Sequence, residues 1–154
     1  GISYDDPERF PPFASYFDVF RNNLDKKIRS SISFELGRSL TAGCGSLISR
    51  VLYVKPGAAE TFLILDAGMT ELIRPALYHA THRIENLTSG EPVKKYTVVG
   101  PICETTDTFG RNIPLPQAHR GDLIAIRSAG AYGEVMASRY NMRSLPPALF
   151  SDTL

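Results

Sequence analysis

Cysteine is scarce in this chain, and its scarcity excludes a good deal. Two thiols, Cys44 and Cys103, in 154 residues cannot build a multi-bridge disulfide framework, and their spacing matches no metal-binding pair. Free thiols fit a reducing compartment. A lone cysteine is by default a small buried hydrophobe, and Cys44, inside Ala42-Gly43-Cys44-Gly45, is expected to be one. Histidine is equally sparse: His79 and His82 have no third ligand at a motif spacing, and His119 falls in a polar stretch, so no metal is expected. Charge of one sign is missing too. With 17 basic and 16 acidic residues the formal charge is +1, which offers no single-sign patch to nucleic acid or to an anionic membrane. The longest apolar stretches, 47–54 and 62–65, fall far short of a bilayer-spanning helix, and the opening residues lack a basic-then-apolar signal. A soluble, cytoplasmic protein is expected, without internal repeats or low-complexity tracts.

The length suits one ordinary domain with a real core, and excludes a complete two-domain enzyme. Phe13, Tyr16, Phe17, Phe20 and Leu24 recur at three- and four-residue steps behind Pro11-Pro12, which predicts one amphipathic helix ending near residues 24–27. A short strand is expected at 31–35, broken by Gly37. From Ser46 the pattern turns to β. Residues 47–54 and 61–65 read as a hairpin about Lys55-Pro56-Gly57-Ala58. Residues 68–78 read as a short helical insertion interrupted at Arg74-Pro75. Further strands are predicted at 83–86, 96–99, 123–128 and 134–138, with a loop at 107–120. The fold class that follows is mainly β: an antiparallel sandwich or barrel at 46–154, preceded at 1–45 by a short α/β remnant of a (β/α)8 barrel.

Four segments carry the chemistry, in order: Phe34-Glu35-Leu36-Gly37-Arg38, Leu72-Ile73-Arg74-Pro75-Ala76-Leu77-Tyr78, Gly100-Pro101-Ile102-Cys103-Glu104 and Ala129-Gly130-Ala131-Tyr132-Gly133. Cys103 is a thiol whose ordinary pKa, near about 8.5, lets it hold a proton at neutral pH and release it to a carbanion; its bland alternative is a packed thiol at a strand end. Glu104 suits an amine partner in a partly desolvated site, or is a solvated strand-end carboxylate. Arg38 and Arg74 have the planar fork that a carboxylate needs, and Tyr78 shares a face with Arg74 if the turn between them is helical. Otherwise the arginines are surface cations and Tyr78 a core residue. Gly37 can bring main-chain N–H groups close to a phosphate.

Taken together, these segments resemble the C-terminal part of the diaminopimelate decarboxylases, fold type III enzymes that use pyridoxal 5'-phosphate and belong with the ornithine and arginine decarboxylases. The resemblance implies a homodimer with shared active sites, acting on an amino acid in the last step of lysine biosynthesis. It implies that Cys103 is the general acid, reaching the cofactor of the neighbouring subunit, and that Glu104 binds the distal ammonium of the substrate. Arg38, Arg74 and Tyr78 would hold the distal carboxylate, and Glu35, Leu36, Gly37, Arg38 and Tyr132 would touch the cofactor. Gly1-Ile2 resembles the tail of the family's glycine-rich phosphate loop, so the chain reads as a piece of a longer protein. Two departures stand out: Leu36 replaces a proline, and Ser128 replaces the aspartate usual before Ala-Gly-Ala-Tyr.

A cofactor aldehyde needs a lysine for its resting imine. None of Lys26, Lys27, Lys55, Lys94 and Lys95 matches the family's cofactor lysine, so the chain alone is expected to be catalytically silent. The rival readings are a decarboxylase of ornithine, arginine or carboxynorspermidine, and a non-catalytic β module. Ornithine-type enzymes carry an aspartate after the motif cysteine, where this chain has Glu104. A substrate without a distal carboxylate also has no use for Arg74 and Tyr78.

Overall fold

The computed structural model of the chain describes residues 2–3 and 12–151; Gly1, read above as the end of a phosphate loop, lies outside the described residues. Helix α1 (Phe13–Asn23) follows Pro12, which agrees with the three- and four-residue spacing of its aromatic side chains. Phe17 and Phe20 each stand edge-on to Phe34, with ring centroids 4.9 Å apart, so α1 packs back on the segment that follows it. A short helix α2 (Lys26–Arg29) is capped by Asp25, which accepts from the Lys27 N–H.

The strand expected at 31–35 does not form. Residues 32–36 run without regular structure, because a strand needs a neighbour for its ladder and no described strand pairs with this one. Residues 13–36 are therefore helix followed by irregular chain.

Six strands carry the rest: β1 (Leu47–Pro56), β2 (Thr61–Leu65), β3 (Ile84–Asn86), β4 (Val93–Val99), β5 (Thr108–Pro116) and β6 (Leu123–Ile126), with α3 (Arg74–Tyr78) between β2 and β3. They form one sheet in the order β3-β6-β1-β2-β4-β5. All neighbours are antiparallel except β2 and β4, which run parallel with Leu63 opposite Val98. A parallel pair demands a long crossover, and residues 66–92, which include α3 and β3, provide it. The sheet curls until its two ends approach: a Cβ added to Gly110 of β5 would lie 3.9 Å from Ile84 of β3. The result is a nearly closed, barrel-like sheet around Val51, Leu63, Leu65, Val98, Ile124 and Ile126, each no more than 1% exposed.

Three local expectations change. Residues 108–116, predicted as loop, are β5; Pro114 and Pro116 suggested otherwise, but β5 ends the strand order, where a missing N–H goes unpunished. Pro75 does not interrupt a helix; it occupies the first turn of α3, where its lost donor has no partner to lose. Residues 134–138 form a one-turn 3-10 helix, Glu134–Met136, instead of a strand. The preceding strand stops at Ile126 because Ser128 and Tyr132 take left-handed φ values of 58° and 65°, which end an extended run.

Candidate active site

The sequence-predicted residues fall into two groups. Of the first, Arg38, Arg74 and Tyr78 line a cavity of about 580 Å³ together with Ile2 and His79, while Glu35, Leu36, Gly37 and Tyr132 lie outside its lining. Arg38 lies in the 3-10 turn Gly37–Ser39. Gly37 has φ 59° and nothing within 4 Å of where a Cβ would stand, so its main chain faces open space. Leu36, in the place of a proline, has φ −78° and ψ −4°, a φ that proline itself adopts. The Ser39 hydroxyl donates to the Leu36 carbonyl at 2.5 Å. Glu35 is exposed and Leu36 half-buried.

Arg74 opens α3 and Tyr78 closes it, one helical turn apart on the same face. Arg74 is only 6% exposed, and its guanidinium lies 5.1 Å from the Tyr78 ring centroid and 5.9 Å from that of Tyr132. Both aromatic side chains are about half exposed, so each shows a free face beside the arginine. Tyr132 arrives from the far end of β6, and its loop is docked onto the chain after Arg38. The Ala129 N–H donates to the Gly45 carbonyl at 2.9 Å and the Gly130 N–H to the Ala42 carbonyl at 3.1 Å. A Cβ on Gly45 would approach within 2.7 Å of Gly130 Cα, so the two loops meet backbone to backbone only because both are glycine. Cys44 is exposed rather than buried: its turn sends Ala42 inward, and the Cys44 thiol donates to the Thr41 carbonyl at 2.8 Å.

The second group is the turn that carries Cys103 and Glu104. Both side chains are exposed, while Ile102 beside them is buried, and neither lines the Arg74 cavity. Asp107 builds this turn. Its carboxylate accepts from the Ile102 and Met69 N–H groups, each at 2.7 Å, and its carbonyl accepts from the Gly100 N–H at 3.1 Å. Burial raises the Asp107 carboxyl above the ordinary aspartate range, although the two N–H groups hold it down; nearby Glu71 pushes the same way as burial, and Arg143 opposes it. Gly68 and Gly100 lie against this carboxylate, leaving no room for a side chain on either.

A third segment completes the second group and was not singled out in the sequence. The Tyr140 hydroxyl donates to Glu104 Oε1 at 2.5 Å. That acceptor, first as a hydrogen-bond partner and then as a charge, raises the Tyr140 phenol above its ordinary ionisation range. Arg143 reaches Glu71 at 3.3 Å and the Asp66 carbonyl at 2.5 Å, and the Ser138 N–H donates to the Thr70 carbonyl at 2.9 Å. Glu71 also accepts from the Gly68 N–H and the Thr70 hydroxyl. The only sequence signal was an acid four residues after Cys103, and that spacing is not diagnostic. Two of the histidines serve structure: His82 Nδ1 bonds the Arg127 carbonyl and His119 pairs with Glu91.

Residues 4–130 match the family described as pyridoxal-dependent decarboxylase, C-terminal sheet domain; the chain belongs to this family of pyridoxal-dependent decarboxylases. It is 58% identical, over its whole length, to the diaminopimelate decarboxylase of Bacteroides thetaiotaomicron. Among solved structures it is similar to diaminopimelate decarboxylase from M. jannaschii, with a TM-score of 0.84 and 34% identity over 95% of this chain. It is likewise similar to the Helicobacter pylori diaminopimelate decarboxylase complexed with L-lysine, with a TM-score of 0.79 and 40% identity over 94% of this chain. The chain spans 40% of the length of the Bacteroides relative, and 35% and 36% of the two solved chains. Among the described residues no helix is long and apolar enough to cross a membrane.

Proposed function

We propose that the chain is the C-terminal part of a diaminopimelate decarboxylase, which converts meso-2,6-diaminopimelate to L-lysine and carbon dioxide in the cytoplasm. Residues 1–45 are the end of its cofactor-binding barrel and 46–154 its β domain. The observation that carries this reading is the cavity on which Arg38, a buried Arg74 and Tyr78 converge. Two guanidinium groups and a phenol suit a carboxylate, and ornithine, arginine and their products have none at the distal end. Glu104, where ornithine-type enzymes carry an aspartate, points the same way.

The residues present fit pyridoxal 5'-phosphate: an open-faced, left-handed Gly37, the adjoining Arg38, and the half-exposed Tyr132 phenol beside Arg74. Glu35, Leu36, Gly37, Arg38 and Tyr132 would hold it. When bound, that cofactor supplies an electron sink for the pair left on Cα as carbon dioxide departs. Arg38, Arg74 and Tyr78 fix the distal carboxylate and so leave the other amino-acid end to react. Cys103 holds a proton on sulfur and delivers it to Cα, where the C–H bond replaces the lost C–C bond. Its exposure, away from the Arg74 cavity, supports service to a neighbouring copy, and hence a homodimer with shared sites.

The test is carbon dioxide release by the purified full-length protein from diaminopimelate, ornithine, arginine and carboxynorspermidine offered separately. Only diaminopimelate is expected to react, and preference for any of the others would overturn the assignment. Cys103→Ala is expected to lower kcat by about a hundred- to ten-thousand-fold; wild-type turnover would remove the thiol from the reaction.

A further inference from the structure

We propose that Tyr140 is a positioning residue for Glu104, delivered by a backbone strap, residues 138–143, that is pinned to the loop leading into α3. This rests on Glu104 as the ammonium-binding carboxylate. An exposed glutamate on a turn has several rotamers, and only some of them aim a carboxylate oxygen at a given point. The Tyr140 hydroxyl, 2.5 Å from Oε1, selects one of them and leaves the other oxygen for a cation. A phenol suits this task, since it donates one hydrogen bond from a stiff ring and carries no charge to compete with the substrate's ammonium.

The strap has a shape that needs explaining. Asn141 and Met142 both take left-handed φ values, 55° and 60°, which side-chain-bearing residues adopt at a cost. Met142 is 97% exposed, so the bend does not serve to bury it. What the bend does is return the chain, so that Tyr140 reaches Glu104 while Arg143 reaches Glu71 and the Asp66 carbonyl. On the other side, the Ser138 N–H holds the Thr70 carbonyl. The strap thus spans from the 66–71 loop, which continues into Arg74, to the Cys103-Glu104 turn. The turn that carries Glu104 and the loop that leads into Arg74 are therefore tied to one scaffold.

The experiment is a double-mutant cycle in the full-length enzyme, using Tyr140→Phe, Glu104→Gln and their combination, with steady-state kinetics on diaminopimelate. Tyr140→Phe is expected to raise KM about five- to tenfold and to leave kcat within about twofold, because the bond aids binding away from the reacting carbon. In the Glu104→Gln background the same change is expected to move KM by less than about twofold. The Phe ring keeps the packing, so the unfolding midpoint should stay put. A raised KM in Glu104→Gln that Tyr140→Phe neither shares nor couples to overturns this inference alone. Equal Tyr140→Phe effects in both backgrounds also overturn it, since a merely structural tyrosine behaves that way. An unchanged KM in Glu104→Gln overturns the substrate reading of Glu104 and this inference with it.

Discussion

Arg74 concentrates the specificity argument in one side chain. A guanidinium that is 6% exposed has given up most of its water, and the faces of Tyr78 and Tyr132 replace part of that solvation. A flat, delocalised cation can lie beside two rings and still present a planar fork to a carboxylate; an ammonium cannot do both. Arg74→Lys is therefore expected to raise KM for diaminopimelate by about tenfold or more. Steady-state kinetics check it, and an unchanged KM would move the carboxylate site elsewhere. This residue was legible in the sequence because an arginine fixed before a proline, with a tyrosine one turn on, is chemically distinctive. Tyr140 was not, since one phenol in a polar tail says nothing about a carboxylate 36 positions away.

At the scale of elements, the hairpin and core strands were legible because β-branched alternation and turn residues encode them locally. The misread elements are those whose identity depends on position in the sheet. β5 holds two prolines that forbid a central strand and are harmless on an edge. Residues 31–35 have strand composition without a pairing partner, and composition alone cannot supply one. Gly100 shows how an element can serve the site by lacking a side chain. A Cβ there would overlap the Asp107 carboxylate and Gly68 Cα, pushing apart the two loops that Asp107 ties together. Gly100→Ala is expected to cost about 1–3 kcal/mol of stability and to lower kcat with it, because the Cys103 turn hangs from the same bonds. Urea unfolding alongside turnover tests this; full stability and full activity together would show that the contact yields without consequence.

For the molecule as a whole, acid should loosen the barrel from its β3 side. Burial pushes the Glu85 carboxyl up, but Arg127 and then Arg83, each at 2.5 Å, more than offset this and hold it below its ordinary value of 4.5. A carboxyl whose pKa is depressed in the folded state contributes stability above its unfolded value and loses it as pH falls through the folded one. The stability difference between wild type and Glu85→Gln is therefore expected to be largest above pH 4.5 and to shrink below it, as read by denaturant midpoints across that range; a constant difference would contradict the assignment. Asp107, raised by burial, acts in the opposite sense, its contribution fading as pH climbs from 3.8 through the raised value.

The crossover that lets β2 and β4 run side by side is the same stretch that bears Arg74. A half-folded copy in which those strands have not yet met has no assembled anion seat, however much of β1 and β6 is already paired. The Arg74 cavity therefore exists only in the completed molecule, and any ligand seated there would draw late intermediates forward by mass action.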